Sequence, residues 1–323
     1  MGIELAAAFA TSMATPEHVA HAERLGYTRA WLYDSPALYP DVWAVLAECA
    51  RRTTTIELGP GVLVPSLRHP MTNAAAIAML AELAPGRVNV AIGSGFTGRL
   101  TLGQKPLRWD WVREYVLAVQ GLLAGETVTW EGGRIRMLHP DGFGAARPLR
   151  VPLLLGTGGP KGEAVARELA DGVFATAPTA GFERCAILTF GTVLDDGEDA
   201  GSPRALTAAG HAGALAVHGM HLRGRDVSEL PGGAAWLEAL RALPADEQHL
   251  ALHEGHLIDA NERDRPLVTG DLLAHLGYAR TAPSWRERIA ELAAAGATEV
   301  AYQPAGPDVP GELERFAAAF AAA

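Results

Sequence analysis

The stretch from residue 56 to residue 98 constrains the fold more than any other part of this chain. Residues 56–64 are an apolar run with almost no polar alternation, which is typical of a parallel strand buried on both faces. Pro70 suits the first turn of a helix, and apolar residues recur at helical spacing up to Leu83. A second buried strand follows over residues 88–92. This strand–helix–strand order predicts an α/β fold with a parallel sheet.

The same alternation continues along the whole chain and predicts a (β/α)₈ TIM barrel. Eight segments have the composition of strands: residues 4–9, 29–33, 56–64, 88–92, 151–155, 172–176, 186–193 and 298–302. Helical patterns cover residues 16–25, 41–52, 70–83, 109–124, 160–170, 204–218, 284–295 and 313–322. A barrel of this kind accommodates 323 residues as a single domain, so we expect one domain over residues 1–323.

Two insertions interrupt the regular spacing. Residues 126–149 contain a segment, residues 127–135, whose glycine turn predicts a β-hairpin. Residues 219–278 precede the last strand and carry extra helical patterns. In a barrel we expect this second insertion to form a lid region over the C-terminal mouth.

Charge and hydropathy exclude some classes of partner. The formal net charge is −10, which argues against nucleic acid as a partner. No apolar run reaches the roughly 18 residues that span a bilayer, and no basic leader precedes the apolar start of the chain. We therefore expect a cytoplasmic protein with no membrane partner.

A glycine-rich run begins where the fourth predicted strand ends. It contains Gly93, Gly95, Phe96, Gly98 and Arg99. Unobstructed backbone N–H groups and a fixed positive charge suit an anionic or planar ligand. The run also matches the dinucleotide-binding pattern, but it lies on the fourth strand and no acidic residue ends a suitable next strand. A turn without a ligand remains an alternative.

A second glycine loop follows the fifth predicted strand and consists of Gly156, Thr157, Gly158, Gly159, Pro160 and Lys161. Pro160 suits a helix start, so free N–H groups, the threonine hydroxyl and the lysine would hold a phosphate. The loop is not a Walker loop, because the required Lys-Ser/Thr pair is missing. A solvated cation at a helix start is the alternative for Lys161.

The lid region offers candidate proton-handling groups. His249, His253 and His256 have i, i+4, i+7 spacing and would share one helical face. A metal site is disfavoured, because Gly255 weakens the helix and no Cys or carboxylate ligand is evident. His253, Glu254 or His256 acting as an acid/base or a hydrogen-bonding group for substrate is more plausible than metal binding. A purely structural role is an equal alternative, and we favour such a role for His211, His218 and His221.

Asp34 follows the second predicted strand and would point toward the barrel mouth. It is a candidate catalytic residue. An ion pair with Arg68 or Arg99 is at least as good an interpretation.

Together these segments resemble the luciferase-like monooxygenase superfamily, which includes FMN-dependent monooxygenases and coenzyme F420-dependent reductases. The resemblance runs from the first strand to the end of the chain. Its most specific parts are residues 59–62 with residues 68–70, residues 93–95, and residues 156–161 with residues 170–172. It implies a (β/α)₈ barrel with a flavin or deazaflavin at the C-terminal mouth, and a homodimer.

The resemblance also implies roles for particular residues. Residues 156–161 would hold the cofactor phosphate, while Gly61 and Val62 would lie beneath the tricyclic ring. In F420-binding relatives the peptide that matches Gly61–Val62 is often cis. F420-dependent sugar-phosphate dehydrogenases have His and Glu where this chain has Ser35 and Phe96, so that activity is disfavoured. Phe96 favours a hydrophobic substrate.

The leading functional hypothesis is a monooxygenase that uses reduced FMN from a separate flavin reductase to oxygenate a hydrophobic small organic substrate. Hydride transfer with F420 is the close alternative. A flavin-binding barrel without catalysis is a third. A phosphosugar isomerase or aldolase is disfavoured, because Lys105 and Lys161 lie in predicted loops and no lysine ends a strand to form a Schiff base.

Overall fold

The computed structural model describes residues 2–321. Its strands are β1 (Glu4–Phe9), β2 (Arg29–Leu32), β3 (Glu57–Pro60), β4 (Val90–Gly93), β5 (Val128–Trp130), β6 (Gly133–Ile135), β7 (Leu153–Gly156), β8 (Gly172–Ala175), β9 (Arg184–Phe190), β10 (Thr192–Leu194), β11 (Ala279–Thr281) and β12 (Glu299–Gln303). Its α-helices are α1 (Thr15–Arg24), α2 (Val42–Arg52), α3 (Pro70–Leu83), α4 (Phe96–Leu100), α5 (Trp109–Leu123), α6 (Pro160–Leu169), α7 (Pro203–Leu222), α8 (Gly233–Arg241), α9 (Gln248–Ala251), α10 (Gly270–Leu276), α11 (Ala282–Ala294) and α12 (Val309–Ala321). The predicted last helix extends to Ala322, which lies outside the described residues.

Eight parallel strands form a sheet that is nearly closed into a barrel. Their order is β3-β2-β1-β12-β9-β8-β7-β4. Single parallel bridges, Leu58 to Val88 and Leu63 to Ile92, connect the two ends of this order. The predicted (β/α)₈ fold is therefore confirmed, because eight parallel strands nearly close a ring and helices follow most of them.

The third strand is shorter than predicted. It ends at Pro60 instead of extending to Val64. Proline lacks an N–H group for the ladder, and the chain then turns into a 3₁₀ helix, Pro65–Leu67, with only Leu63 returning to bridge β4. The apolar residues beyond Pro60 are buried by this turn, so their hydropathy resembled that of a strand.

Two further predictions are corrected at glycines. The predicted strand 186–193 is divided into β9 and β10 at Gly191, whose φ is +127°. A Cβ there would lie 2.3 Å from the Tyr278 carbonyl oxygen, so only glycine fits. After β4, residues 96–100 form the short helix α4 where a loop was expected.

The described chain separates into two compact units. The first comprises residues 2–100, 104–188 and 293–301, and contains β1–β4, β7 and β8 with helices α1–α6. The second comprises residues 101–103, 189–292 and 302–321. The prediction of a single domain is not tested by this division and stays a prediction. Within residues 2–321, no helix is long and apolar enough to cross a membrane.

Both insertions are folded. The first forms the predicted hairpin, in which β5 and β6 pair antiparallel across Glu131 and Gly132. The second lies within the second unit and supplies α8, α9 and α10. It has an apolar core of its own, in which Trp236, Leu237 and Leu240 of α8 pack with Val217 and Leu267. This core accounts for an ordered insertion.

A buried charge network lies at the N-terminal ends of the barrel strands. Arg29 of β2 contacts Glu299 of β12, Glu57 of β3 at 2.6 Å and Glu4 of β1 at 3.2 Å. The indole N–H of Trp31 also donates to Glu299, at 2.6 Å. Active sites of (β/α)₈ barrels lie at the opposite, C-terminal face. We therefore interpret this network as a contribution to the stability of the barrel.

Candidate cofactor site

The strand register brings most of the predicted site residues of the first unit to one edge of the sheet. Leu32 of β2 pairs with Pro60 of β3, and Gly93 of β4 pairs with Gly156 of β7. The residues that follow these pairs therefore leave the sheet together at its C-terminal edge. This edge carries the active site in barrel enzymes.

Close packing explains why three of the predicted cofactor-binding positions are glycine. A Cβ on Gly93 would lie 2.7 Å from Val62 Cγ2, and a Cβ on Gly156 would lie 2.8 Å from Val62 Cγ1. A Cβ on Gly61 would lie 2.9 Å from Trp31 Cβ. The Gly61–Val62 peptide is cis, as the resemblance implies. The Val62 side chain thus packs against both β4 and β7, and these glycines are required by packing within the protein.

The loop after β4 is held by Arg99 and Val64. Gly95 has φ +80°, and a Cβ there would lie 2.6 Å from Val64 Cγ1. The Arg99 guanidinium donates to Ser66 Oγ at 2.5 Å and to the Lys105 carbonyl at 2.6 Å. Neither partner is anionic, so the positive charge of Arg99 is available to a ligand. Phe96 begins α4 and is 58% exposed.

The start of α6 has open space where a ligand fits. A Cβ on Gly158 or on Gly159 would meet no heavy atom within 4 Å. Gly159 is the N-cap of α6 and no side chain caps this helix. The exposed Lys161 has no carboxylate partner among the described residues. Uncapped N–H groups and an unpaired lysine suit a phosphate, so the chemistry of this loop fits the predicted group.

Thr157 is the buried residue of this loop. Its side chain is buried, and its Oγ1 lies 3.2 Å from the Gly159 carbonyl oxygen. A Cβ on Gly162 would lie 2.1 Å from Thr157 Oγ1 and 2.5 Å from the Trp109 ring. Glycine at position 162 therefore lets the first turn of α6 approach the loop closely.

Asp34 is engaged in an ion pair. Its carboxylate accepts two contacts of 2.8 Å from Arg68 Nη1 and one of 3.2 Å from the Val64 N–H. Burial raises the pKa of Asp34, and the Arg68 guanidinium opposes this shift. The contacts match the ion-pair interpretation with Arg68. A catalytic role for Asp34 stays a prediction.

A polar chain behind Arg68 was not predicted from the sequence. Tyr115 donates to the Arg68 carbonyl at 2.9 Å and accepts from Asn73 Nδ2 at 2.7 Å. Asn73 Oδ1 accepts from Trp43 Nε1 at 2.9 Å. The available signal was Asn73, a polar residue on the buried side of an otherwise apolar helix.

In the second unit, the predicted shared helical face of the histidines is wrong. Helix α9 ends at Ala251, and Gly255 has φ +72°. His253 is nevertheless buried, with Nδ1 2.6 Å from the His249 carbonyl and its ring centroid 5.2 Å from that of His256. Glu254 is exposed and lies 3.6 Å from Arg263. Among residues 2–321, no three side chains of metal-binding type converge.

Two other histidines of the second unit are buried on α7. His218 Nε2 lies 3.0 Å from Asp264 Oδ1, which also accepts from Trp236 Nε1 at 2.8 Å. His211 is 2% exposed, and among residues 2–321 neither of its ring nitrogens has a partner in good hydrogen-bond geometry. Burial lowers the pKa of His211 to about 4, and burial together with His253 lowers the pKa of His256 to about 3. Both rings are therefore neutral at pH 7.

These lowered pKa values predict acid sensitivity. In the unfolded chain both rings bind a proton below about pH 6.5, whereas in the folded chain they do so only below about pH 4 and pH 3. The unfolded state therefore binds more protons, and stability falls as the pH falls through this window. Between pH 7 and pH 5 we expect each histidine to remove about 2 kcal/mol from the free energy of unfolding.

Chemical denaturation at several pH values measures this effect. His211→Leu should reduce the loss of stability between pH 7 and pH 5 by about 2 kcal/mol. His275→Gln changes an exposed ring of the same unit and serves as the control. An unchanged pH dependence in His211→Leu would show that the folded protein already protonates His211.

Comparison with known proteins connects this geometry to a family. The model described as luciferase-like monooxygenase matches residues 8–188, which is more than half of the chain. A 5,10-methylenetetrahydromethanopterin reductase from Methanolobus tindarius is 32% identical over 164 residues, covering 48% of each chain. An F420-dependent glucose-6-phosphate dehydrogenase from Beutenbergia cavernae is 35% identical over 153 residues, covering 44% of this chain and 43% of the relative. The chain thus spans about half the length of the curated relatives it matches.

Solved structures share the fold over the whole chain. The coenzyme F420 dependent tetrahydromethanopterin reductase from Methanopyrus kandleri has a TM-score of 0.67 at 19% identity, with 98% of each chain covered. The oxygenating constituent of 3,6-diketocamphane monooxygenase from Pseudomonas putida, a type II Baeyer-Villiger monooxygenase in complex with FMN, has a TM-score of 0.60 at 14% identity, covering 98% of this chain and 97% of that one. Given the family match over residues 8–188 and a barrel whose C-terminal edge carries the glycine loops, this chain belongs to the luciferase-like monooxygenase family.

Proposed function

We propose that this protein is an oxidoreductase that transfers hydride between coenzyme F420 and a hydrophobic small organic substrate. The observation that best supports this proposal is the open loop at Gly158 and Gly159 beside Lys161. This loop lies at the same sheet edge as Gly61 and Val62. When bound, F420 supplies a deazaflavin ring that accepts or donates a hydride. The chain supplies the phosphate loop, the floor beneath the ring and the surroundings that exclude water.

The choice of F420 over FMN rests on the relatives found by sequence. The relative from Beutenbergia cavernae, at 35% identity, is named as F420-dependent. The neighbour in complex with FMN is only 14% identical, a level at which the fold alone is shared. The F420 alternative is therefore better supported than the leading hypothesis of an FMN-dependent monooxygenase. A separate flavin reductase is required only by the FMN alternative.

The residues near the phosphate loop have separable tasks in this proposal. The N–H groups at the start of α6 and the Lys161 ammonium group would hold the cofactor phosphate. Arg99, fixed by Ser66 and the Lys105 carbonyl, adds positive charge at the exit of β4. Val62 packs against Gly93 of β4 and Gly156 of β7 and would support the ring.

The proposed substrate class rests on the apolar side chains that are exposed after the barrel strands. Met13, between β1 and α1, is 87% exposed, and Phe96, after β4, is 58% exposed. Ser35 and Phe96 replace the His and Glu of the sugar-phosphate dehydrogenases. We therefore propose an apolar substrate and no sugar phosphate, although a relative named for glucose-6-phosphate is similar in sequence.

Titration of the purified protein with F420 and with FMN tests the proposal. Both cofactors are added in the oxidised and in the reduced form, and ring fluorescence and visible absorption are followed. Tighter binding of F420 supports hydride transfer. Tighter binding of reduced FMN would return the assignment to the monooxygenase, and binding of neither would support a barrel without this activity.

The lid region contributes the proposed acid/base group. We propose that His253 or His256 donates or accepts the substrate proton. Both side chains are buried enough that the pKa of each is lowered, so each is a neutral imidazole at pH 7. Glu254 is exposed and paired with Arg263, so we place it third among these candidates.

His253→Ala should lower turnover at least about tenfold and leave the dissociation constant of the cofactor unchanged. Reoxidation of reduced F420 by a panel of hydrophobic ketones and enoates provides the turnover, and fluorescence titration provides the affinity. His249→Ala, at the start of α9, is the control. A loss of folding in His253→Ala, seen by circular dichroism, would instead indicate a structural role through the contact with the His249 carbonyl.

We also propose that the protein is a homodimer. Helix α3 carries apolar side chains on its outer side, including Met79, which is 44% exposed. A second copy would cover such a surface. Light scattering during size-exclusion chromatography measures the mass directly, and a mass of 34.0 kDa would exclude the dimer.

A further inference from the structure

A cavity of about 520 Å³ lies between helix α5 and the β5–β6 hairpin, wholly within the first unit. Its walls include Trp111, Leu117, Val128 and Trp130. The two indole rings are 5.4 Å apart and nearly perpendicular, at 76°. The volume falls in the range of small-molecule sites. Nothing in the proposed function uses this cavity.

The charged groups at the cavity have one sign. Glu114 of α5 and Glu131 of the hairpin turn line it, and no lining residue is basic. Both side chains are exposed, and neither carboxylate has a basic partner within 4 Å among residues 2–321. Arg134 pairs opposite Thr129 in the hairpin but is not a lining residue. The cavity is therefore apolar and aromatic inside and negative at its rim.

The aromatic walls are rigid. Trp130 is almost fully buried and packs edge-on against Tyr115, at 5.6 Å, and against His69, at 6.3 Å. Trp111 stacks on Tyr115 at 5.6 Å with an angle of 20°. Glu131 has φ +49° and forms the two-residue turn with Gly132, which fixes its position beside the cavity. The site is thus formed before any ligand arrives.

We propose that this cavity binds a small organic cation with an apolar body, such as a quaternary ammonium compound. The indole rings attract a cation over their faces, the aliphatic residues receive its methyl or aryl groups, and the two carboxylates balance its charge. A neutral molecule of the same shape would gain only the apolar contacts. An anion would meet Glu114 and Glu131 and be repelled.

Choline and 3,3-dimethylbutan-1-ol provide a matched pair, because they have nearly the same shape and differ in charge. Benzyltrimethylammonium serves as a larger probe. We would follow the indole N–H signals of the ¹⁵N-labelled full chain during titration, after assigning them with Trp111→Phe and Trp130→Phe. We expect the cations to shift the signals of both residues, and the alcohol to bind at least about tenfold more weakly.

The double variant Glu114→Gln with Glu131→Gln should weaken cation binding about tenfold and leave alcohol binding unchanged. Glu82→Gln with Glu183→Gln removes two exposed carboxylates that do not line the cavity and serves as the matched control. Trp111→Leu should also abolish cation binding while preserving the fold, measured as an unchanged circular dichroism spectrum.

The proposal is overturned by no shift with any cation, by equal binding of choline and the alcohol, or by equal binding in both double variants. In a dimer, both indole N–H groups could be protected from solvent and their signals could be unaffected by cations. That result would assign the cavity to the contact with a second copy of the chain and would also overturn the proposal. These measurements need no F420 or FMN, so their result is independent of the proposed function.

Discussion

Gly158→Asp lowers the affinity for F420 and for FMN at least about 100-fold. Position 158 has no neighbouring heavy atom within 4 Å of a Cβ, and its φ is not in the left-handed region, so an aspartate fits the folded backbone. Its carboxylate would occupy the space assigned to the cofactor phosphate. Two like charges at about 4 Å repel by roughly 4 kcal/mol near a protein surface. Fluorescence titration of both cofactors measures the loss.

Gly158→Asn separates charge from size at this position. The amide has nearly the shape of the carboxylate and can donate to a phosphate, so we expect most of the affinity to be retained in Gly158→Asn. The melting temperature of both variants should match that of the parent protein, because a Cβ at position 158 meets no heavy atom within 4 Å. If Gly158→Asp and the parent protein bind the cofactors with equal affinity, the cofactor phosphate does not bind at this loop. Equal loss in both variants would indicate exclusion by size.

Arg29→Met should lower the free energy of unfolding by about 3–5 kcal/mol. The Arg29 side chain is 6% exposed and contacts three carboxylates, of which Glu299 is 3% exposed. Methionine fills a similar volume but leaves Glu299 buried, with the Trp31 N–H as its one remaining direct donor among residues 2–321. Removal of one partner of a buried ion pair is costly because the other charge is left uncompensated. Urea denaturation with an unchanged slope measures the loss.

Arg52→Met is the matched control, because it removes an exposed ion pair. Arg52 and Glu17 are 2.7 Å apart with side chains 49% and 56% exposed. Such pairs contribute about 0–1 kcal/mol, so this variant should remain near the parent protein. Adding Glu299→Gln to Arg29→Met should restore part of the stability, because it removes the stranded charge. An effect of Arg29→Met no larger than that of Arg52→Met would contradict our interpretation of the network.

The elements that the sequence predicted well are those whose own residues carry the signal. Helix α3 has the predicted bounds, because Pro70 begins it and buried positions recur at helical spacing as far as Leu80, one turn before its end. Strand β1 also has the predicted bounds, Glu4–Phe9. The third strand and the division between β9 and β10 were not predicted correctly. The β9–β10 division reflects a contact with a distant segment, Gly191 against the Tyr278 carbonyl, whereas β3 ends at Pro60, which has no N–H for the ladder.

The glycines of the candidate site were predicted from the sequence, but the reason why each position is glycine was predicted only in part. Gly93 and Gly156 were predicted to bind cofactor, yet their lack of a Cβ is required by Val62. Gly158 and Gly159 do present open space, as the phosphate prediction needs. The histidine spacing predicted a common helical face, but α9 ends at Ala251 before that face is formed. The spacing of residues in the sequence predicts the direction of their side chains only within one continuous helix.

The sequence by itself determined the number and order of the eight barrel strands, the positions of the glycine loops and the hairpin, because period, proline and glycine are local properties of the chain. The tertiary structure alone decided which of those glycines face protein and which face open space. It also decided that Asp34 pairs with Arg68, and that Arg29 gathers carboxylates from three other strands. These features depend on strand register, which joins residues far apart in the chain, and no local pattern records such distances.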